Sequence, residues 1–168
     1  MSSAFVIRVA LPADAESVTE LLAASCPVLM AGAYDEAALK VALPAMTRAK
    51  SELLSSGTFY VAEADDGELA GCGGWTRERP GTGETNPRLA HIRHFATQPK
   101  WIGRGVGQAL CNRCEEDARA AGISRFECHA SLNAQGFYQA LGFDTLRRFE
   151  LAMGNGSSLP SILMQREL

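Results

Sequence analysis

One stretch of this chain restricts its fold more than any other. An extended run at residues 89–97, LAHIRHFAT, leads through Pro99 into Gly103, Arg104, Gly105, Val106 and Gly107, and then Val106, Ala109, Leu110, Cys114, Ala118 and Ala121 recur at helical spacing up to Gly122. A strand that enters a helix through alternating glycines is an anion-binding arrangement: glycine lets the backbone approach a ligand closely, and the first helical amides have no carbonyl of their own to bond. The two commonest phosphate loops do not match in detail. A dinucleotide fingerprint needs glycine at position 108, where Gln108 stands, and normally occupies the first strand-to-helix turn of a chain. A mononucleotide loop needs Gly-Lys-Ser or Gly-Lys-Thr, and neither is present.

The surroundings of this loop read as one α/β domain, as the length of 168 residues suggests. Residues 5–10 form a β-branched strand, and Ala15, Val18, Leu21 and Leu22 mark the buried face of a helix that reaches about residue 24 and is broken by Pro27. A second helical stretch covers residues 35–54, kinked or divided at Pro44, and residues 26–34 form the lip between the two. Residues 58–64 and 68–75 make a hairpin across Asp65, Asp66 and Gly67, with a glycine-heavy second strand. Residues 77–88 carry two prolines, two glycines and mixed charges, the composition of a surface loop suited to substrate contact. A strand at 124–130, a helix at 133–141 closed by Gly142, and strands at 143–153 and 159–167 around a 154–158 turn complete the order.

Charge and cysteine content exclude several functions. With 16 Lys+Arg against 19 Asp+Glu there is no basic excess to neutralise nucleic-acid phosphates, so no nucleic-acid partner is expected. The amino terminus lacks a basic segment followed by a long apolar one, and the longest weakly polar run, residues 21–34, contains Pro27 and Gly32 and is too short to span a bilayer. A cytoplasmic protein without a membrane partner is the expectation. The five cysteines are odd in number and scattered, as reduced thiols are. Cys111 and Cys114 have the spacing of half a zinc site but lack a second pair, so no metal is expected.

The glycine loop, following a strand and Pro99, resembles the acetyl-CoA-binding motif of the GNAT acetyltransferase superfamily, with Ile102 where the family pattern has Gln or Arg. A second segment, residues 133–143 (NAQGFYQALGF), is similar to the family's closing motif, with its Asn, small residue, aromatic pair and Gly-Phe end. The order of elements resembles the family over nearly the whole chain. The resemblance implies an α/β fold with a mixed, mostly antiparallel central sheet, a splayed strand pair and about four flanking helices. It also implies N-acetyl transfer from acetyl-CoA directly to a primary amine, either a small molecule or a peptide amino terminus or lysine. The alternative is an acyl-CoA-binding regulatory domain that acetylates nothing. Many relatives are dimers, so a homodimer is compatible with the resemblance and the oligomeric state stays open.

Residue roles follow from the same resemblance. The backbone amides of Gly103, Arg104, Gly105, Val106, Gly107 and Gln108 would hold the pyrophosphate, with the Arg104 side chain adding charge. The backbone of Phe95, Ala96 and Thr97 would pair with the pantetheine arm, the Phe95 amide facing the thioester oxygen. Asn133 would cap its helix and touch the cofactor, and Tyr138 would stand near the sulfur, where a phenol can return a proton to the thiolate. Tyr138 also falls with Ala134, Phe137 and Leu141 on an apolar stripe, so packing is a competing reading. His91 matches the position of a catalytic Glu or His in several members and is the expected base. Strict alternation puts 91, 93, 95 and 97 on one face and His94 on the other, which makes His94 the lesser candidate. Glu78 and Glu84 are reserve carboxylates, and Trp75 would wall the acceptor.

Overall fold

The computed structural model describes residues 5–153 and 156–168; Gly154 and Asn155 of the expected closing turn lie outside the described residues. Its strands are β1 (Phe5–Val9), β2 (Phe59–Ala64), β3 (Leu69–Thr76), β4 (Leu89–Thr97), β5 (Arg125–Ser131), β6 (Asp144–Ala152) and β7 (Ser158–Glu167). They form one sheet in the order β1-β2-β3-β4-β5-β7-β6, antiparallel throughout except where β5 lies parallel to β4. The helices are α1 (Ala15–Met30), α2 (Glu36–Met46), the single turn α3 (Ser51–Leu54), α4 (Val106–Ala120) and α5 (Gln135–Ala140). On one face of the sheet α4 buries Val106, Leu110, Cys111, Cys114 and Ala118 against β2 to β5; on the other, α1 buries Val18, Leu21 and Leu22. Cys111 and Cys114 are thus core side chains. None of the helices is long and apolar enough to cross a membrane among the described residues.

Two prolines behave differently from expectation. Helix α1 runs through Pro27 to Met30 instead of stopping. Proline removes one backbone bond, and the last turns of α1 are held by tertiary contacts: the Ser25 hydroxyl donates to the Thr97 carbonyl at 2.8 Å, and Met30 is buried. The expected lip is therefore mostly helix, anchored by Tyr34, whose hydroxyl donates to the Pro160 carbonyl and accepts from the Leu132 amide. The division of the second helical stretch falls after Met46, beyond Pro44, where both the amide and the hydroxyl of Thr47 close onto the Leu43 carbonyl.

The sheet holds one irregularity that decides the site. Cys72 pairs with Ala96 and Gly74 with Arg93, so His94 and Phe95 together oppose Gly73. This is a β-bulge, and His94 takes the left-handed backbone it requires, with φ of 51°. The bulge switches the alternation. Ile92 and Phe95 both pack toward α4, whereas Ala96 joins Cys72 on the α1 side. The expectation that 91, 93, 95 and 97 share a face therefore fails beyond Arg93, because the extra residue shifts every later side chain to the opposite face.

The glycines of β3 have a packing reason. A Cβ on Gly74 would stand 2.6 Å from Phe59 Cα, and one on Gly71 would stand 2.9 Å from the Ala96 carbonyl oxygen, so backbone rather than a flexible side-chain tip would have to move. Gly74→Ala is expected to destabilise the fold by about 2–3 kcal/mol and lower the thermal midpoint by roughly 4–12 °C. An unchanged midpoint in a thermal melt would show that β2 and β3 can separate freely.

Candidate active site

The parallel pairing of β4 and β5 is short. It joins Leu89 to Arg125, Ala90 to Phe126 and His91 to Glu127, and ends there. Beyond that point β5 pairs only with β7, from Cys128 with Met164 to Ser131 with Ser161, while β4 pairs only with β3. The two strands splay, and the β4 edge from Ile92 onward turns its backbone groups toward a cavity of about 440 Å³ lined by Arg93, His94, Phe95, Cys128, His129 and Tyr138 among others. An unpaired strand edge offers main-chain donors and acceptors to an extended ligand.

The same strand delivers the glycine loop. After β4 a single turn at Pro99–Trp101 places the Trp101 indole edge-on to Phe5, with ring centroids 5.9 Å apart. Gly103 and Gly105 then adopt φ of 79° and 83°, a left-handed backbone that costs other residues ~1–2 kcal/mol each. The Ile102 and Arg104 amides close onto the Pro99 and Trp101 carbonyls, and the Ala109 amide onto Gly105. The amides of Val106, Gly107 and Gln108 thus form the first turn of α4, where a helix has no carbonyl to offer them. A Cβ at position 107 would lie 2.6 Å from Phe137 Cζ, so the Phe137 ring packs directly on the Gly107 backbone. Phe137 therefore connects the two motifs, and it is a site residue for which only the aromatic pair in the closing motif is a sequence signal. The Arg104 guanidinium lies over the Trp101 ring at 4.0 Å.

Tyr138 both packs and faces the cavity. Its ring lies 6.3 Å from Phe95, 5.0 Å from Phe137 and 5.4 Å from Phe143, centroid to centroid. Burial, followed by the neighbouring Cys128 thiol, pushes its phenol well above the ordinary tyrosine range. It stays protonated at neutral pH and can act as a donor. Asn133 does not form the expected cap. It sits inside the turn Leu132–Ala134, and α5 begins directly behind Ala134 with no side-chain cap, because one helical turn feeds into the next.

The histidines are arranged differently from strict alternation. His91 is only 3% exposed and lies outside the cavity lining; its Nδ1 is 3.7 Å from Glu127 Oε1, which accepts from Arg79 Nη2 at 3.1 Å. Burial pushes His91 down to about 4 despite the opposing effect of Glu127. His94, on the bulge, does line the cavity and is also pushed down to about 4 by burial, with Lys50 and Arg93 acting in the same direction. His129 lines it too, is lowered mainly by burial, and stacks edge-on against Phe149. Sequence reasoning missed His129, since nothing local reveals which face of β5 borders the splay.

The 77–88 loop is a small hairpin in which the Arg79 amide donates to the Glu84 carbonyl and Glu78 bridges Thr85. Pro80 and Gly81 border the first cavity and also a second one of about 830 Å³, lined by Glu52, Trp75, Thr76, Glu78 and Arg93 among others. Glu84 is exposed and lines neither. The Trp75 indole is buried, donating to the Tyr60 hydroxyl at 3.3 Å.

A splayed parallel pair, a β4 bulge and a left-handed glycine loop opening a helix are accompanied by similarity to known proteins. No curated protein matches this chain significantly. Among solved structures, a GCN5-related N-acetyltransferase from Rhodopseudomonas palustris, described also as a class-II aminotransferase, matches with a TM-score of 0.78 and 24% identity over 100% of this chain and 98% of its own. The PaiA N-acetyltransferase from Thermoplasma acidophilum, solved in complex with coenzyme A, matches with a TM-score of 0.73 and 20% identity over 100% of both chains. A GCN5-related N-acetyltransferase from Kribbella flavida gives 0.63 and 23% over 98% of each. These likenesses carry the fold. The acetyltransferase (GNAT) family profile matches residues 17–143, and with that match over most of its length the chain belongs to the GNAT acetyltransferase family.

Proposed function

We propose that this enzyme takes an acetyl group from acetyl-CoA and passes it directly to a primary amine. The observation that carries the reading is the continuity of the freed β4 edge with the glycine loop at the start of α4. One strand thus leads from a thioester-sized cavity to a pyrophosphate-binding helix terminus. Acetyl-CoA supplies the activated acyl group as a thioester, and the protein supplies position and proton handling.

In this reading the amides of Gly103, Gly105, Val106, Gly107 and Gln108 hold the pyrophosphate; the Arg104 amide is bonded to the Trp101 carbonyl, and its side chain is held beside them by the Trp101 ring. The backbone of Phe95, Ala96 and Thr97 binds the pantetheine arm as a further strand would, and the Phe95 amide faces the oxygen on which charge develops. Asn133 stands near the same arm. Tyr138 donates a proton to the departing sulfur. His94 takes the base role expected of His91, because the bulge brings His94 to the cavity, whereas His91 is buried against Glu127 outside the cavity lining. No thiol is suited to carry the acetyl group: burial pushes Cys26 up to about 11 and Cys128 up to about 12, so neither offers thiolate at neutral pH.

The test is a thermal-shift series followed by thiol release. Acetyl-CoA at 100 times its Kd should add about 2.7 kcal/mol of stability, CoA should act similarly, and ATP and NAD should do nothing. Free thiol should then appear only when an amine is added. Stabilisation without product from any amine would favour the binding-only domain, and a response to ATP or NAD would remove the acetyl-CoA assignment. His94→Gln is expected to lower turnover by about 100-fold with acetyl-CoA affinity unchanged. Because His94 sits at about 4, the unprotonated base is fully available above pH 5. The wild-type kcat/KM profile should therefore show no acid limb near 6.5; such a limb would return the role to an ordinary imidazole.

A further inference from the structure

Arg93 is the side chain for which the reaction as described has no use. It borders both cavities, where the acetyl-transfer region meets the second, larger space beneath the 77–88 hairpin. Its Nη1 donates to Thr76 Oγ1 at 3.0 Å, and that hydroxyl donates onward to the Glu78 carbonyl at 2.9 Å, so the guanidinium is held in a fixed direction by a neutral partner. Among the described residues no carboxylate oxygen lies within 4.0 Å of it. Glu52 and Glu78 line the same space and act on it only at longer range.

The other two arginines of the second cavity are already committed. Arg77 donates to the Ala121 and Pro87 carbonyls, and Arg79 donates to Glu127. A half-buried guanidinium with one of its five donors used among the described residues, and that one on a hydroxyl, has donors left to offer an anion. A carboxylate satisfies it in two-point fashion. A phosphomonoester does so less well, since Glu52 and Glu78 beside it oppose a second negative charge.

The position limits the ligand further. Arg93 and Phe95 lie on the same strand with the bulge residue His94 between them, and the Arg93 guanidinium turns back to Thr76, which pairs with His91. A carboxylate on the Arg93 fork and an amine at the thioester therefore belong to one ligand that extends along the cavity lined by both residues.

Resting on the acetyl-transfer reading above, we infer that Arg93 holds the carboxylate of the acceptor, and that the acceptor is a free amino acid. The nitrogen bonds to the acetyl carbon as the carbon–sulfur bond breaks; the acceptor nitrogen loses one proton and the sulfur gains one. Arg93 is then a positioning residue that touches the acceptor away from the reacting atoms.

The experiment uses the full chain with acetyl-CoA and a panel of L-amino acids, each paired with its carboxamide, read by free-thiol release. At least one amino acid should exceed its amide by about 100-fold in kcat/KM, mainly through KM. Arg93→Met should bring that ratio toward one, and Arg93→Lys, which keeps the charge without the fork, should restore part of it. An intact acetyl-CoA thermal shift in both variants shows that they fold. Amides that match their acids, or a preference that survives in Arg93→Met, would overturn the inference and leave the acetyltransferase reading standing. Thiol release with neither member of any pair, in a protein that acetyl-CoA stabilises, would overturn the inference, while release with other amines in the wider screen would keep the enzyme reading.

Discussion

Gly105→Asp is expected to weaken acetyl-CoA binding by at least 100-fold, read as loss of the thermal shift at concentrations that saturate the wild type. Gly105 stands immediately before Val106 with φ of 83°, and it accepts the Ala109 amide that opens α4. A carboxylate there satisfies the first-turn amides itself and repels the pyrophosphate. Loss of charge-assisted hydrogen bonds worth about 1.5–3 kcal/mol each is enough for the stated factor. Gly105→Asn separates this from backbone strain, because Asn has nearly the same size, tolerates the left-handed region and carries no charge. Asn at 105 should keep affinity within about tenfold. If the aspartate variant binds as the wild type does, the pyrophosphate is held elsewhere.

Tyr138→Phe should reduce turnover by about 1,000-fold, with kcat and kcat/KM falling together and acetyl-CoA affinity unchanged. The substitution deletes one oxygen and keeps the ring among Phe95, Phe137 and Phe143. Stability should fall by only about 1 kcal/mol, the worth of one hydroxyl contact. The direction of the tyrosine shift matters to this expectation: a phenol raised by burial stays protonated wherever the fold is stable, so no alkaline limb from Tyr138 should appear in the ordinary working range. Turnover that survives the loss of the hydroxyl would reduce Tyr138 to a packing residue.

The local readings that succeeded share a cause. The span of β4 and the helix after the glycine loop are written as periodicities within one segment, and they appear as Leu89–Thr97 and Val106–Ala120. The left-handed glycines are equally local, since few other residues tolerate φ of 79° or 83°. Pro27 misled because proline's cost is local but its outcome is not: contacts from Ser25 and Met30 to distant parts of the chain outweigh one missing bond. Asn133 misled in the same way, since a capping residue type caps only if the backbone leaves the helix there.

The roles of the histidines show where sequence alone stops. Alternation along β4 ranks His91 above His94, and it would be right for a regular strand. The bulge exists because β3 offers Gly73 opposite two residues, with Phe95 covering the space that a Cβ would occupy. That fit belongs to two strands together and to neither alone. By itself, then, the sequence determined the succession of strands and helices, the glycine loop and the presence of Tyr138 in the closing motif, because each depends on neighbours in the chain. Only the tertiary structure decided which histidine reaches the cavity, that Arg93 stands there with no carboxylate partner among the described residues, and that β4 and β5 part after His91, because pairing, burial and charge separation are set by residues far apart in sequence.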